Sequence, residues 1–204
     1  MNTSTILRFA PPLHDTRAGP EAVPTTPQNK PPRRITTYLS TMDHTPTRIF
    51  ALNPNHKGFG YAVFELPFRL VDWGLTRITG DKHTGAIAKF EKLLIRFRPD
   101  AVVLEDAAAP GSRRHPRVRE LIKALVNLAR ERGIAVYTVA RTAVLKCFSS
   151  PDEPATKESI AKRLAEEFPE LSMKLPPHRK AYMSQDERMA IFDALAFAVT
   201  HASA

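Results

Sequence analysis

The sequence is poor in cysteine, tryptophan and glycine, and it has no long apolar run. Among its 204 residues there is one cysteine, so the chain cannot form an internal disulfide or a cysteine-rich zinc site. No segment approaches the roughly 18 consecutive apolar residues that cross a bilayer, and the first residues, MNTSTILRFAPPLHD, lack the basic and apolar regions of a signal peptide. These features exclude a secreted disulfide scaffold and predict a cytoplasmic protein with no membrane segment.

Acidic residues are outnumbered by basic ones. The chain has 21 Asp and Glu against 30 Lys and Arg, which gives a formal net charge of +9, and residues 1–47 carry little of that excess. A basic excess favours a polyanionic partner such as nucleic acid. The length and the 43% hydrophobic content match one globular domain with an appendage.

Residues 1–47 differ in composition from the rest of the chain. They contain eight of the 18 prolines and no sustained apolar periodicity. Such a segment cannot bury enough apolar surface to order itself, which predicts a disordered, proline-rich leader followed by a folded domain over residues 48–204. Met42 lies just before the first strand pattern, so a translation start there is an alternative, which an intact mass that includes Met1 would reject.

The first part of the domain reads as strands. Gly58 and Gly60 predict a turn after the first strand. Short connections between strands favour an antiparallel meander. Three apolar strand patterns are present, at residues 49–52 (ended by Asn53-Pro54), 61–64 and 70–78.

The second part alternates between helices and strands, which predicts an α/β fold with a mixed five-stranded sheet flanked by helices. Ser184–Glu187 has the form of a capping box at the start of the last helix. The predicted helices are residues 87–97, 118–129, 141–148, 157–168 and 184–201, and the predicted strands among them are 101–104 and 134–139.

Two acidic residues have apolar surroundings. Asp193 lies on the last predicted helix, where its neighbours three and four positions away are all apolar, so it needs a cation from elsewhere in the chain. Glu105 follows the apolar run 101–104 and so lies at the carboxyl end of a strand, where open α/β sheets build their sites. A distant arginine partner for Asp193 and a solvated strand end for Glu105 are the alternatives.

Three segments carry a resemblance to a known family. The segment RIFALNPNHKGFGYAV, residues 48–63, resembles the first-strand signature of RuvC-like Holliday junction resolvases, which belong to the RNase H-like superfamily. VVLE, residues 102–105, and FDALA, residues 192–196, are similar to the second and last motifs of that family, in the same order. The resemblance implies an RNase H-like domain, Mg²⁺ or Mn²⁺ dependence, cleavage of branched or junction DNA in recombination and repair, and a homodimer.

The resemblance also identifies the site residues and two departures. Glu105 and Asp193 take catalytic and metal-ligand positions, and Asn53 takes the position of the family's first acid. A neutral amide lacks the charge that offsets desolvation of a divalent ion, which predicts weakened cleavage. A fourth acid often lies at the position of Ala190 here. Asp186 is the candidate to replace it, because it precedes Asp193 by seven residues and shares its face of the predicted helix.

Basic residues occur in three loops next to these positions. They are candidates to bind DNA phosphates through side-chain charge and guanidinium hydrogen bonds. Solvated basic loops are the alternative for each cluster taken alone. The predicted contacts are Lys57 after the first strand, Arg113, Arg114 and Arg117 after Glu105, and Arg179 and Lys180 before the last helix.

The leading hypothesis is therefore a metal-dependent, structure-selective DNA endonuclease, a RuvC-like hydrolase of phosphodiester bonds. The alternative is a catalytically inactive RNase H-like protein that binds nucleic acid. An actin-like nucleotide-binding protein is disfavoured because one short domain leaves no second lobe to enclose ATP, and Gly58-Phe59-Gly60 matches neither a dinucleotide nor a Walker motif.

Overall fold

The computed structural model describes residues 48–67, 69–150, 153–180 and 182–204. The predictions for residues 1–47, the disordered leader and the alternative start at Met42, lie outside these described residues. None of the helices described is long and apolar enough to cross a membrane. The strands are β1 Arg48–Asn55, β2 Gly58–Glu65, β3 Arg69–Arg77, β4 Ala101–Glu105 and β5 Ala135–Val139. The α-helices are α1 Lys82–Phe97, α2 Pro116–Glu131, α3 Arg141–Phe148, α4 Lys157–Glu167 and α5 Met189–Ala202, with a 3₁₀ helix at Pro169–Lys174.

The five strands form one mixed sheet in the order β3-β2-β1-β4-β5. β1, β2 and β3 pair antiparallel as a meander. β4 pairs with β1 in parallel, and β5 pairs with β4 in parallel. This topology confirms the predicted α/β fold with a mixed five-stranded sheet. The parallel register pairs Ile49 with Ala101 and Ala51 with Val103, so continuing it brings Asn53 level with Glu105.

Alternate residues of β1 enter two separate cores. Ile49 and Ala51 pack with α5 on one face of the sheet, whereas Phe50 and Leu52 pack with α1 and α2 on the other. Side chains alternate with a period of two along a strand, so Asn53 faces the side of α5. α5 is buried from Met189 to Thr200, which explains why it is apolar on every side.

Two sequence predictions at the β1–β2 connection are wrong. β1 continues through Asn53 and Pro54 to Asn55. Proline is tolerated there because β4 pairs only with residues 49–51, so the missing N–H of Pro54 breaks no hydrogen bond to β4. The turn lies at His56-Lys57, and Gly58 and Gly60 belong to β2.

The predicted start of the last helix is also wrong. α5 begins at Met189 with no side-chain cap, so Ser184 and Asp186 precede the helix. Glu187 does not close a capping box, because its carboxylate accepts hydrogen bonds from Lys57 and Arg77 instead. A tertiary ion pair has overridden the local pattern.

Gly60 allows α5 to lie directly on β2. A Cβ at this position would collide with the backbone carbonyl carbon of Ala190. We expect Gly60→Ala to lower the free energy of unfolding by about 3 kcal/mol, the upper range for overpacking, because the Ala190 backbone cannot relieve the clash by changing rotamer as a side chain can. Urea denaturation would measure the loss. Gly74→Ala on β3 is the matched control, since its methyl would come no closer than 3.0 Å to any atom and would meet only the outer ring atoms of the Tyr61 side chain, and an equal loss in both variants would contradict the argument.

Candidate active site at the carboxyl ends of the parallel strands

Asn53, Glu105 and Asp193 come together where β1 and β4 end beneath α5. All three side chains are buried, with residue exposures of 4%, 7% and 4%. Asn53 donates its amide Nδ2 to Asp193 Oδ2 at 3.2 Å. The distant segments that the sequence predicted to converge therefore do converge.

Arg114 connects Asn53 to Glu105. Its Nε donates to Glu105 Oε2 at 2.7 Å, and its terminal nitrogens donate to Asn53 Oδ1, Glu105 Oε2 and, at 3.0 Å, the carbonyl of Pro54. Arg114 was predicted to bind DNA phosphate from the loop after Glu105. The structure places its guanidinium between Glu105 and Asn53.

Asp193 has two basic partners. Arg141 donates to Oδ1 at 2.9 Å and Lys157 donates to Oδ2 at 2.8 Å. The need for a cation followed from the apolar neighbours of Asp193, but the identity of these partners did not. Arg141 and Lys157 are the first residues of α3 and α4, so the only available signal was a basic residue at each predicted helix start.

These contacts decide whether the side chains fit a divalent ion. Two carboxylates face three basic groups, and the amide oxygen of Asn53 already accepts from Arg114. Mg²⁺ and Mn²⁺ select anionic oxygen ligands with free lone pairs. Among the described residues no group of three or more His, Cys, Asp or Glu is arranged to hold a metal. As placed, this donor set does not fit Mg²⁺ or Mn²⁺.

Asp186 and Glu187 lie beside the cluster without joining it. Asp186 accepts from Arg188 at 2.7 Å, and this hydrogen bond holds the pKa of Asp186 below its usual value. Glu187 has a lowered pKa because Lys57 and then Arg77 donate to it. Asp186 was predicted to share the helix face of Asp193, which is wrong because Asp186 precedes α5.

The predicted phosphate-binding residues divide into three groups. Lys57 pairs with Glu187, and Arg114 pairs with Glu105. Arg179 donates Nε to the carbonyl of Met183 at 2.6 Å. Three exposed residues complete the set, namely Arg113, Arg117 and Lys180.

A small cavity opens above the cluster. Its volume is about 160 Å³, enough for a few polar atoms of a ligand rather than a whole nucleotide. Its lining is polar and carries charges of both signs, with the three carboxylates of Asp186, Glu187 and Asp193 and the basic groups of Arg114 and Lys157. The lining residues are Asn53, Asn55, His56, Arg114, Lys157, Gln185, Asp186, Glu187, Ala190 and Asp193.

Comparison with known proteins gives a match by structure alone. No protein-family model matches the sequence, and no curated protein matches it. Thermus thermophilus RuvC in complex with a Holliday junction substrate is similar with a TM-score of 0.55 and 21% identity, covering 77% of this chain and 93% of that one. A second Thermus thermophilus RuvC structure has a TM-score of 0.53, 19% identity, and coverage of 77% and 94%. The yeast mitochondrial Holliday junction resolvase Ydc2 has a TM-score of 0.51, 13% identity, and coverage of 83% and 85%. The chain therefore has the fold of RuvC-like Holliday junction resolvases.

Proposed function

We propose that this chain, which has the RuvC-like resolvase fold, binds branched DNA on the surface around Glu105 and Asp193. One observation carries the proposal. The buried carboxylates of Glu105 and Asp193 are outnumbered by the basic side chains of Arg114, Arg141 and Lys157. The other two acids that line the cavity already have basic partners, Arg188 for Asp186 and both Lys57 and Arg77 for Glu187, so the cluster as a whole carries a net positive charge. Positive side chains attract DNA phosphates and release the counterions that screen them.

The exposed arginines extend this positive site along the loop before α2. Arg113 and Arg117 lie near Arg114 in sequence and are both exposed, so they can contact phosphates while Arg114 keeps its ion pair with Glu105. Arginine suits this role because its planar group forms paired hydrogen bonds to phosphate oxygens. DNA bound in this way needs no divalent ion.

The binding test compares a four-way junction with a duplex of equal length by fluorescence anisotropy. We expect the junction to bind at least about tenfold more tightly, with equal affinity in EDTA and in Mg²⁺. Arg113→Ala with Arg117→Ala should weaken binding about tenfold at 0.1 M salt and flatten the salt dependence. Lys92→Ala on α1 is the control and should change little. Equal affinity for junction and duplex would reject the proposal.

Metal-dependent endonuclease activity is the second candidate. Glu105 ends β4 and Asp193 lies on α5, and both carboxylates are buried beside Asn53, which is the arrangement that favours this candidate. Asn53 in place of an acid would make the cleavage weak. Nicking of junctions with Mg²⁺ or Mn²⁺ that disappears in Glu105→Gln and Asp193→Asn would support it. Inertness of the wild type and of Asn53→Asp on junction, flap and single-stranded DNA would reject it.

We also propose that the chain acts as a homodimer. Two-fold symmetry relates the four strands of a four-way junction in pairs, so a dimer with the same symmetry would present one positive site to each member of a pair. Sedimentation equilibrium of the protein, alone and with one equivalent of junction DNA, measures the number of chains per junction. One chain per junction would contradict this arrangement.

A further inference from the structure

A second, larger cavity adjoins the cavity above Asp193. Its volume is about 550 Å³, and it shares Lys157, Gln185 and Asp186 with the smaller one. One wall is the first half of α4, and the other is the segment that leads from the 3₁₀ helix to α5. We call it the α4 groove. Its lining residues are Thr156, Lys157, Glu158, Ala161, Lys162, Leu175, Pro176, Pro177, Arg179, Lys180, Gln185, Asp186 and Met189.

The charge of the α4 groove is positive. Four basic residues line it, and its two acids already have basic partners. Glu158 contacts His178 at 2.8 Å and Lys162 at 3.5 Å, and Asp186 contacts Arg188 at 2.7 Å. Lys162 and Lys180 are exposed, so both ammonium groups can reach a ligand in the groove.

The size and lining of the α4 groove favour one strand over two. A volume of about 550 Å³ is that of a small-molecule pocket, which a few unpaired nucleotides can enter. A duplex, whose major groove alone is about 12 Å wide, is too large for it. Ala161, Leu175 and Met189 give it an apolar part on which sugars and bases can rest.

We propose that the α4 groove binds an unpaired DNA strand that leaves the branch point next to Asp193. This inference rests on the proposed function, because the groove continues from the same cavity through Lys157. The preferred ligand is then branched DNA with a single-stranded arm, such as a splayed or flapped junction. Lysines contact its phosphates, and the apolar surface contacts its bases without reading their sequence.

The test uses two junctions with the same paired core, of which one carries a ten-nucleotide thymidine arm. We expect the wild type to bind the armed junction about tenfold more tightly by fluorescence anisotropy. Lys162→Ala with Lys180→Ala should reduce that ratio to below about twofold, because the loss of affinity falls mainly on the armed junction. The salt exponent for the armed junction should fall by about 1.4, since each single-strand contact contributes about 0.7.

Lys89→Ala with Lys92→Ala is the matched control, because it removes the same charge from α1 and should leave the ratio near tenfold. Equal affinity of the wild type for the two junctions would overturn the inference, as would an equal loss on both junctions in the groove variant. Free ten-nucleotide thymidine DNA separates the two proposals. If the wild type fails to prefer junction over duplex but binds the free thymidine DNA through Lys162 and Lys180, the proposed function is rejected and single-strand binding in the α4 groove is supported.

Discussion

Replacing Arg114 with methionine should lower the free energy of unfolding by about 3 kcal/mol at pH 7. Arg114 is the basic partner of Glu105, whose side chain is only 9% exposed, and it also satisfies Asn53 and the carbonyl of Pro54. Removing one member of a buried ion pair leaves the other charge uncompensated, which costs about 3 to 5 kcal/mol, and partial exposure of Arg114 places this case at the lower end. Urea denaturation measures the loss.

The double variant Arg114→Met with Glu105→Gln separates charge from packing. It removes the uncompensated carboxylate as well as its partner, so we expect it to recover at least half of the stability that Arg114→Met loses. A loss that is the same in the single and double variants would contradict the role assigned to Arg114.

The positions of the acids could be predicted because local patterns determine them. The apolar run before Glu105 identifies a buried strand and so its carboxyl end, and the apolar helix around Asp193 identifies a carboxylate that needs a cation. Both expectations agree with the structure, in which Glu105 ends β4 and Asp193 is buried on α5. The α/β order of elements likewise predicted the mixed sheet, since alternating periodicities report on strands and helices directly.

The partners of those acids could not be predicted, because long-range geometry determines them. Arg114 lies in a loop whose sequence is equally suited to solvent, and only the position of β1 brings its guanidinium to Asn53. Glu187 matches a capping-box pattern, yet Lys57 and Arg77 approach it from the β1–β2 hairpin and from β3. A local pattern has no information about charges that arrive from other elements.

Asn53→Asp should give the protein a divalent-metal response that the wild type lacks. In the wild type, Asn53 donates to Asp193 at 3.2 Å, so an aspartate replaces a donor by a like charge. We expect the variant to lose about 2 kcal/mol of stability in EDTA. The third carboxylate also balances the charge of the three basic groups and supplies an anionic oxygen ligand. Mg²⁺ or Mn²⁺ at a concentration about 100 times its Kd for the variant should therefore raise the free energy of unfolding by about 2.7 kcal/mol.

Thermal unfolding measures this response as a rise in Tm of several degrees on adding Mg²⁺, since each kcal/mol corresponds to about 2 to 4 °C in a chain of this size. Asn53→Ala is the control, because it removes the same hydrogen bonds and adds no charge, and its Tm should not respond to metal. Nicking of junction DNA should appear in Asn53→Asp under the conditions that raise its Tm and should be lost when Glu105→Gln is added. If the wild-type Tm rises with Mg²⁺ as much as that of Asn53→Asp, the three basic side chains do not block the metal, and the misfit derived from their contacts is wrong.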